Sequence, residues 1–544
     1  MASKAKADRK IYTMSPAIPT ASYPAIVSDA GDERAFIPSD TGSFAYMIMM
    51  YQGLANLFPW NAFITAAVYF GTRFCQTPYA NSFESYFSFC GTAFQTIGLA
   101  LSIVYQERFS LHSRIVYPLM LYSLIFSVTT MLVLVPNFNG VPLFWITAVC
   151  VTLSGLCGAV LSGGLFSMSA VFPPSYTAAL MSGQALAGMV VSVSNLLTSL
   201  AGKQPEGFCS NDKASEALCS YTVDYAAFAY FLIATAILLA AAGLVYVLMK
   251  LPFTEHHMHR AGWEWCRSEY IDRILRQSTT SASINEPLLS AGFKKDRLSL
   301  TGGDRLSLTD DSAPIFLLAG SAGRSHLDDD GAAENAVSFH ASKLRCNPSP
   351  GRTDSDMGGT SFPTIMRVLR VIAVPAFAVC FTFVVTLSIF PALIVLLQSE
   401  HKCDYSSRFF NDLYVPFYFL LLNTGDFLGR ITAGWYQVFV GTNIWIPAVL
   451  RLVFIPLFLL CNVSNSELPV VFYHDVFPIT FMCLFAFSNG YVASSAMMIG
   501  PMLAQQADKN LAGSIMIFCL TLGLMIGSIL SFAIVQISQG TVSR

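Results

Sequence analysis

The stretch NTGDFLGR, residues 423–430, puts a carboxylate and a guanidinium four positions apart inside a long apolar run. On a helix Asp426 and Arg430 share one face, and Asn423, three positions before the acid, joins them. Charges at membrane depth are costly and mark function by default, and an arginine beside a carboxylate offsets part of the cost. The carboxylate accepts hydrogen bonds from vicinal hydroxyls, and the guanidinium donates to a ring oxygen or a carbonyl. Together they suit a neutral, hydroxyl-rich ligand such as a ribose. The competing use of the pair is an ion pair that locks two helices. Asp426 is also the one acid well inside an apolar block, and Arg430 beside it argues against its use as a proton carrier. Arg451 is a second base in an apolar block, with no partner evident from spacing.

A second constellation lies in GLANLFPWNAFITAAVYF, residues 53–70. Pro59 breaks the backbone ladder and Asn61 brings an amide to a place where lipid offers no partner. Such residues are tolerated only where protein or a water-filled cavity covers them. Trp60 offers a flat apolar face that could stack on a planar ring; its bland use is packing. A flat aromatic in one half of the chain and a sugar-suited ion pair in the other is what a nucleoside would require. Gln95 adds an amide within another apolar block, and Gln184 sits among small residues in MSGQALAG, a packing motif first. Ser488, Asn489 and Gly490 in FAFSNGY predict an interruption or bend.

The elements that must position these residues are membrane helices. The 544 residues are 54% hydrophobic and 12% charged, half the roughly 25% of soluble proteins. The apolar residues come in blocks longer than the roughly 20 needed to cross hydrocarbon. Eleven spans are predicted, at about 44–70, 86–106, 114–135, 143–171, 176–201, 223–251, 366–397, 412–437, 444–462, 470–499 and 510–537. The paired prolines of FPPSYT, residues 172–177, divide the fourth from the fifth. Basic residues collect in the N-terminal tail, at Arg108 and in the long loop after the sixth span, which places those segments in the cytoplasm. The organisation is then a cytoplasmic tail at 1–43, a six-helix bundle at 44–251, a Ser- and Gly-rich loop at 252–365 expected to be disordered, and a five-helix bundle at 366–544. Two bundles around a central site is a transporter plan.

Seven cysteines (Cys90, Cys150, Cys157, Cys380, Cys461, Cys483, Cys519) lie in apolar blocks and behave as small hydrophobes. Cys209 and Cys219 share a polar loop on the outer side, where a disulfide is expected. His256, His257, His259 and Cys266 read as a solvated juxtamembrane cluster ahead of a metal site. In the long loop, DRLSLT occurs at Asp296 and Asp304 as a candidate kinase substrate, and NEPLL, residues 285–289, as a candidate site for sorting adaptors. No Walker, triad or metal-ligand spacing is present, so no enzyme, cofactor or metal is expected, and nothing is basic enough to suggest nucleic acid.

Taken in order, GLANLFPWNAFITA, PPSYTAALMSGQALAG, GDFLGRITA, LRLVFIPLFLLCN, FAFSNGYVAS and LAGSIMIFCLTLGLMIGS resemble the equilibrative nucleoside transporter family. Only the N-terminal tail and the long loop fall outside the resemblance. It implies an all-α integral membrane protein of eleven transmembrane helices in a major-facilitator-like arrangement of six and five. It further implies that Trp60 and Leu57 shape the pocket around the base and that Asn61 supports the first helix. Asp426 and Arg430 would contact ribose, with Asn423 and Phe419 on the same helix. Phe390 and Leu524 would line the pocket or the outer gate, and Gly158, Gly183 and Gly188 fit positions where helices pack closely. One departure is Ser162, where well-known members carry a base-reading glutamine; Gln95 on the facing wall could replace it. Monoamine-carrying relatives have glutamate where this chain keeps Gln184, which favours neutral substrates.

The expectation is a passive nucleoside carrier working by alternating access in a lipid bilayer. The rivals are a proton-coupled nucleoside carrier, a nucleobase or organic-cation carrier on the same fold, and a non-transporting receptor or scaffold. The expected address is the plasma membrane, with the N-terminus cytoplasmic and the C-terminus extracellular; NEPLL keeps an endolysosomal or vacuolar membrane open.

Overall fold

The computed structural model describes residues 38–75, 77–79, 83–135, 140–202, 224–260, 360–403, 407–439, 441–464 and 466–540. The sequence readings at Cys209, Cys219, Cys266 and the motifs of the long loop lie outside those residues. Among the described residues every element is helical, with isolated bridges at Leu397–Val463 and Cys461–Phe472 tying loops together. The first half holds α1 (Phe44–Thr65), α2 (Ala67–Arg73), α3 (Phe83–Val104), α4 (Leu111–Val133), α5 (Gly140–Val171), α6 (Pro174–Ala201), α7 (Tyr225–Met249) and α8 (Pro252–Arg260). The second holds α9 (Phe362–Val371), α10 (Ala373–Ile389), α11 (Tyr414–Trp435), α12 (Trp445–Leu450), α13 (Phe454–Leu459), α14 (Val476–Leu503) and α15 (Lys509–Ser538).

Eight of these segments, in α3 to α7, α10, α14 and α15, are long and apolar enough to cross a membrane. The other predicted spans are helical too, but they are broken or diluted by polar residues. The span at 44–70 runs helically through Pro59 and breaks at Ala66, dividing α1 from α2. The span at 412–437 is α11, whose apolar run is diluted by Asn423, Asp426 and Arg430. The span at 444–462 is α12 and α13 joined by a 3-10 turn at Arg451–Val453. Pro456 there lacks the N–H that would bond the Leu452 carbonyl, so the α-helical ladder cannot run on unbroken. Pro375 does the same to the Val371 carbonyl, and α9 ends at Val371. Pro174 stands at the start of α6, where a missing N–H costs nothing. Contrary to the bend expected at Ser488–Gly490, α14 stays helical through all three residues.

Among the described residues the two halves meet chiefly where α5 and α3 approach α15 and where α6 lies against α11 and α14. At one end of the bundle α5 approaches the start of α15. Ser167 Oγ and Ser514 Oγ are 2.7 Å apart, Ser167 Oγ donates to the Asn510 carbonyl at 3.1 Å, and Arg114 Nη2 reaches Ser514 Oγ at 3.4 Å. A single apolar core runs through the first half and on into residues 368–383, 433–448 and 491–520 of the second; another, around Tyr414, Tyr418, Phe458 and Phe485, stays within the second half.

The contact of α6 with α11 extends over the length of both helices. At one end Arg408 Nη1 donates to the Gly202 and Leu200 carbonyls at 2.7 and 3.1 Å, and Nη2 donates to the Ser199 carbonyl at 2.6 Å. The last carbonyls of a helix have no partner within it, and an arginine from the opposite half supplies one here, itself held by Asp412. Midway, Asn423 Nδ2 donates to Ser192 Oγ at 2.7 Å, and at the far end Gly434 faces Ala178.

The seven cysteines of the apolar blocks are free thiols. Cys75 and Cys403, which the sequence reading passed over, are each disulfide-bonded.

Candidate functional site

The polar centre is built on α11. Helical spacing sets Arg430 one turn beyond Asp426, and its Nε donates to Asp426 Oδ2 at 2.8 Å, both side chains being buried. Arg430 Nη1 crosses to the first half and donates to the Met181 carbonyl of α6 at 2.9 Å. Asp426 Oδ1 accepts from Asn489 Nδ2 of α14 at 2.6 Å. The pair therefore ties three helices from both halves. α11 and α14 come this close because Gly490 has no side chain: a Cβ there would collide with the Asp426 carbonyl.

The network continues beyond what spacing could show. Asn489 Oδ1 accepts from Thr386 Oγ1 of α10 at 2.7 Å, and Thr386 Oγ1 accepts from Arg451 Nη2 at 2.8 Å. Arg451 Nη1 donates to the Phe485 carbonyl at 2.7 Å and to Ser488 Oγ. Its guanidinium also lies over the Phe485 ring, 4.6 Å from the centroid.

The remaining predicted residues fall into place around this centre. Asn423 also donates to the Phe419 carbonyl at 2.9 Å, and its side chain occupies the space that any Cβ on Gly188 would need. Phe419 meets Phe390 edge to face, with centroids 4.7 Å apart. On α1, Asn61 Nδ2 donates back to the Leu57 carbonyl at 3.2 Å, a bond that braces the turn around Pro59. Trp60 is half-buried against α3, where a Cβ on Gly91 would lie 2.7 Å from the indole. Ser162 is buried and exchanges two hydrogen bonds with Asn56 of α1, at 2.9 and 3.1 Å. Its hydroxyl is thus engaged by a residue the sequence reading did not consider. Gln95 is half-buried and makes no side-chain hydrogen bond among the described residues. Leu57 and Leu524 are half-buried and pack on the larger core. Among the described residues no hydrogen bond or ring contact joins Trp60, Leu57, Gln95 or Leu524 to the Asp426–Arg430 pair.

Gly183 and Gly53 interlock α6 with α1, each facing the other helix's backbone carbonyls (Met50 and Leu180) with no room for a side chain. Gly158 is different: its nearest neighbour would be Tyr122 Oη, 3.9 Å from a Cβ. On α8, His257 Nδ1 lies 3.0 Å from the Phe253 carbonyl.

A helical bundle in two halves with a buried polar centre between them is a transporter architecture. The solved proton:xylose symporter XylE is similar in fold, with a TM-score of 0.50 at 12% sequence identity, covering 93% of this chain and 90% of that one. The fold is major-facilitator-like. A family model described as "Nucleoside transporter" matches residues 148–536, and this chain, a multi-pass membrane protein, belongs to that family. Equilibrative nucleoside transporter 1 of Rattus norvegicus is 30% identical over 533 residues, covering 91% of this chain and 97% of the relative. Equilibrative nucleoside transporter 2 of Homo sapiens is 28% identical, covering 92% and 98%. Equilibrative nucleotide transporter 1 of Arabidopsis thaliana is 25% identical, covering 93% and 91%.

Proposed function

We propose that this protein carries nucleosides across a membrane by facilitated diffusion, its two halves rocking around a central site. The observation that carries the reading is the buried Asp426–Arg430 pair, on one half and bonded to the backbone of the other through Met181. A ligand that bonds this pair competes with a contact between the halves, so binding and rocking share the same groups. Asp426 accepts from ribose hydroxyls and Arg430 donates to a sugar or base oxygen, with Asn423, Phe419 and Phe390 beside them. Trp60 and Leu57 wall the base, Asn61 braces their helix, and Leu524 closes the rim. Gln95, with an uncommitted amide, reads the base in preference to Ser162, which Asn56 holds. Substrate binding only biases a pre-existing equilibrium between outward and inward states, and no bond is made or broken, so the protein is not an enzyme.

The chain is then a tail at 1–43, bundles at 44–251 and 366–544 carrying eleven spans, and a cytoplasmic loop at 252–365 open to kinases and sorting adaptors. With the N-terminus in the cytoplasm, the Ser167–Ser514 contact is cytoplasmic and the Arg408 contact extracellular. Disulfides at Cys75 and Cys403 fit that orientation, since both would face an oxidising space. The plasma membrane suits such an arrangement.

The test is uptake of labelled adenosine and uridine into proteoliposomes, with and without an inward proton gradient. Saturable uptake that equilibrates and ignores the gradient is expected. Accumulation only with the gradient would overturn the passive mechanism, and no flux of either nucleoside would overturn the substrate.

A further inference from the structure

A fully buried arginine with no carboxylate in contact needs an explanation. Arg451 is 2% exposed, makes no direct ion pair among the described residues, and leaves its Nε without a partner. Burying a guanidinium costs several kcal/mol unless its hydrogen bonds and a counter-charge offset it. Asp426 is that counter-charge, and it is reached only through Thr386 and Asn489. Two arginines on the second half thus share one carboxylate, Arg430 directly and Arg451 through two neutral side chains.

The chemistry of the four groups fixes the direction of the chain between them. A guanidinium can only donate, and an ionised carboxylate can only accept. Arg451 fills an acceptor position on the Thr386 oxygen, and the hydroxyl has a single proton to give. That proton could go to the Thr382 carbonyl, also 2.8 Å away. It would then leave the Thr386 and Asn489 oxygens facing each other 2.7 Å apart with nothing between them. Given instead to Asn489 Oδ1, it leaves the amide NH2 toward Asp426, so that each link from Arg451 Nη2 to the carboxylate has a donor and an acceptor. Hydrogen bonds in such a chain polarise one another. The result holds Asp426 from two sides, Oδ1 from α14 and Oδ2 from Arg430, so the plane of the carboxylate is set.

Resting on the nucleoside reading above, we propose that Arg451, Thr386 and Asn489 form a positioning relay that orients Asp426 toward the ribose hydroxyls. Arg451 is a positioning residue: it touches no substrate and acts through two others. The relay sets how well the carrier tells a ribonucleoside from an analogue lacking a sugar hydroxyl. A purely structural role for the same residues would affect every substrate alike.

The test compares adenosine with its 2′-deoxy and 3′-deoxy analogues in wild type, Thr386→Val, Thr386→Ala and Thr386→Ser, with uptake normalised to protein at the membrane. Serine keeps the hydroxyl and valine keeps the shape; alanine serves if valine fails to fold. Wild type should show the lowest KM for adenosine. Thr386→Val and Thr386→Ala should raise the adenosine KM about tenfold toward that of the weaker analogue, leaving maximal flux and the KM of that analogue nearly unchanged. Thr386→Ser should behave as wild type. An equal loss on all three substrates, or a serine variant as impaired as alanine, would overturn the relay and leave the nucleoside reading intact. If wild type accepts all three equally, the ribose role of Asp426 falls and the relay with it.

Discussion

Asp426 and Arg430 were legible in the sequence because a charge in an apolar run stands out and the helical period tells which neighbours it meets. Asn423 followed from the same period. Their partnerships were not legible: Asn489, Ser488 and Arg451 each stood out in the sequence, but spacing does not say which helices meet. Met181 meets Arg430 through its carbonyl and its thioether, Thr386 is a common hydroxyl residue, and the Arg451 contacts span 65 and 37 positions. Asn56 was hidden likewise: only the crossing of α1 with α5 reveals that it occupies Ser162. The energetics at this scale set two expectations. Asp426→Asn keeps the shape but removes the charge facing Arg430, and nucleoside uptake should fall by about tenfold or more while the protein still reaches its membrane. Normal uptake by that variant would sink the ribose role. Arg430→Lys keeps the charge, yet one ammonium cannot reproduce the geometry by which Nε reaches Asp426 and Nη1 reaches Met181. Its uptake should fall by a similar factor, and a lysine variant with wild-type kinetics would show that the fork is not required.

At the scale of elements, proline did most of the talking. Prolines 173 and 174 divided α5 from α6 as the sequence reading expected, and Pro375 and Pro456 explain breaks that it did not foresee, since length alone cannot show where a ladder is cut. The Ser-Asn-Gly triplet of α14 misled for a physical reason. Small polar residues suggest a weak helix, but here they serve a neighbour: Ser488 receives Arg451, Asn489 receives Thr386, and Gly490 lets α11 come close. The glycines matched by family resemblance are not equivalent either. Gly183→Ala forces a Cβ into the Met50 carbonyl of α1, and overpacking of that kind costs about 1–3 kcal/mol or more. Gly158→Ala adds only ordinary contact with Tyr122. Thermal unfolding of detergent-purified protein should show a clear loss of stability for the first and almost none for the second; similar values would mean that α1 and α6 part more easily than their interlock suggests.

For the whole molecule, the α5–α15 and α6–α11 contacts between the halves differ in character. The hydrogen bonds between α5 and α15 lie at one end, where Ser167 and Ser514 nearly touch. Cysteines at those two positions can reach disulfide geometry, and oxidising Ser167→Cys/Ser514→Cys protein should stop flux reversibly, because that end must part when the site faces the other way. Ala178→Cys/Gly434→Cys joins α6 to α11 where a Cβ on Gly434 would lie 3.2 Å from that of Ala178, and oxidation there should leave most of the flux. Blocked flux in the second variant, or free flux in the first, would reverse the assignment of moving and fixed contacts.

Arg408 gives that asymmetry its meaning. Pinned to the last carbonyls of α6 at one end, with Asn423 and Gly434 meeting the same helix further along, α11 has no free end from which to peel away. A door held along one edge can only swing. On the proposed rocking mechanism the pair α6–α11 is the axle, and the proposed substrate groups Asp426 and Arg430 sit on it, where the backbone is expected to move least. A site placed there keeps its geometry while the rest of the protein turns around it, which is what a carrier needs if it is to bind the same molecule equally well from both sides.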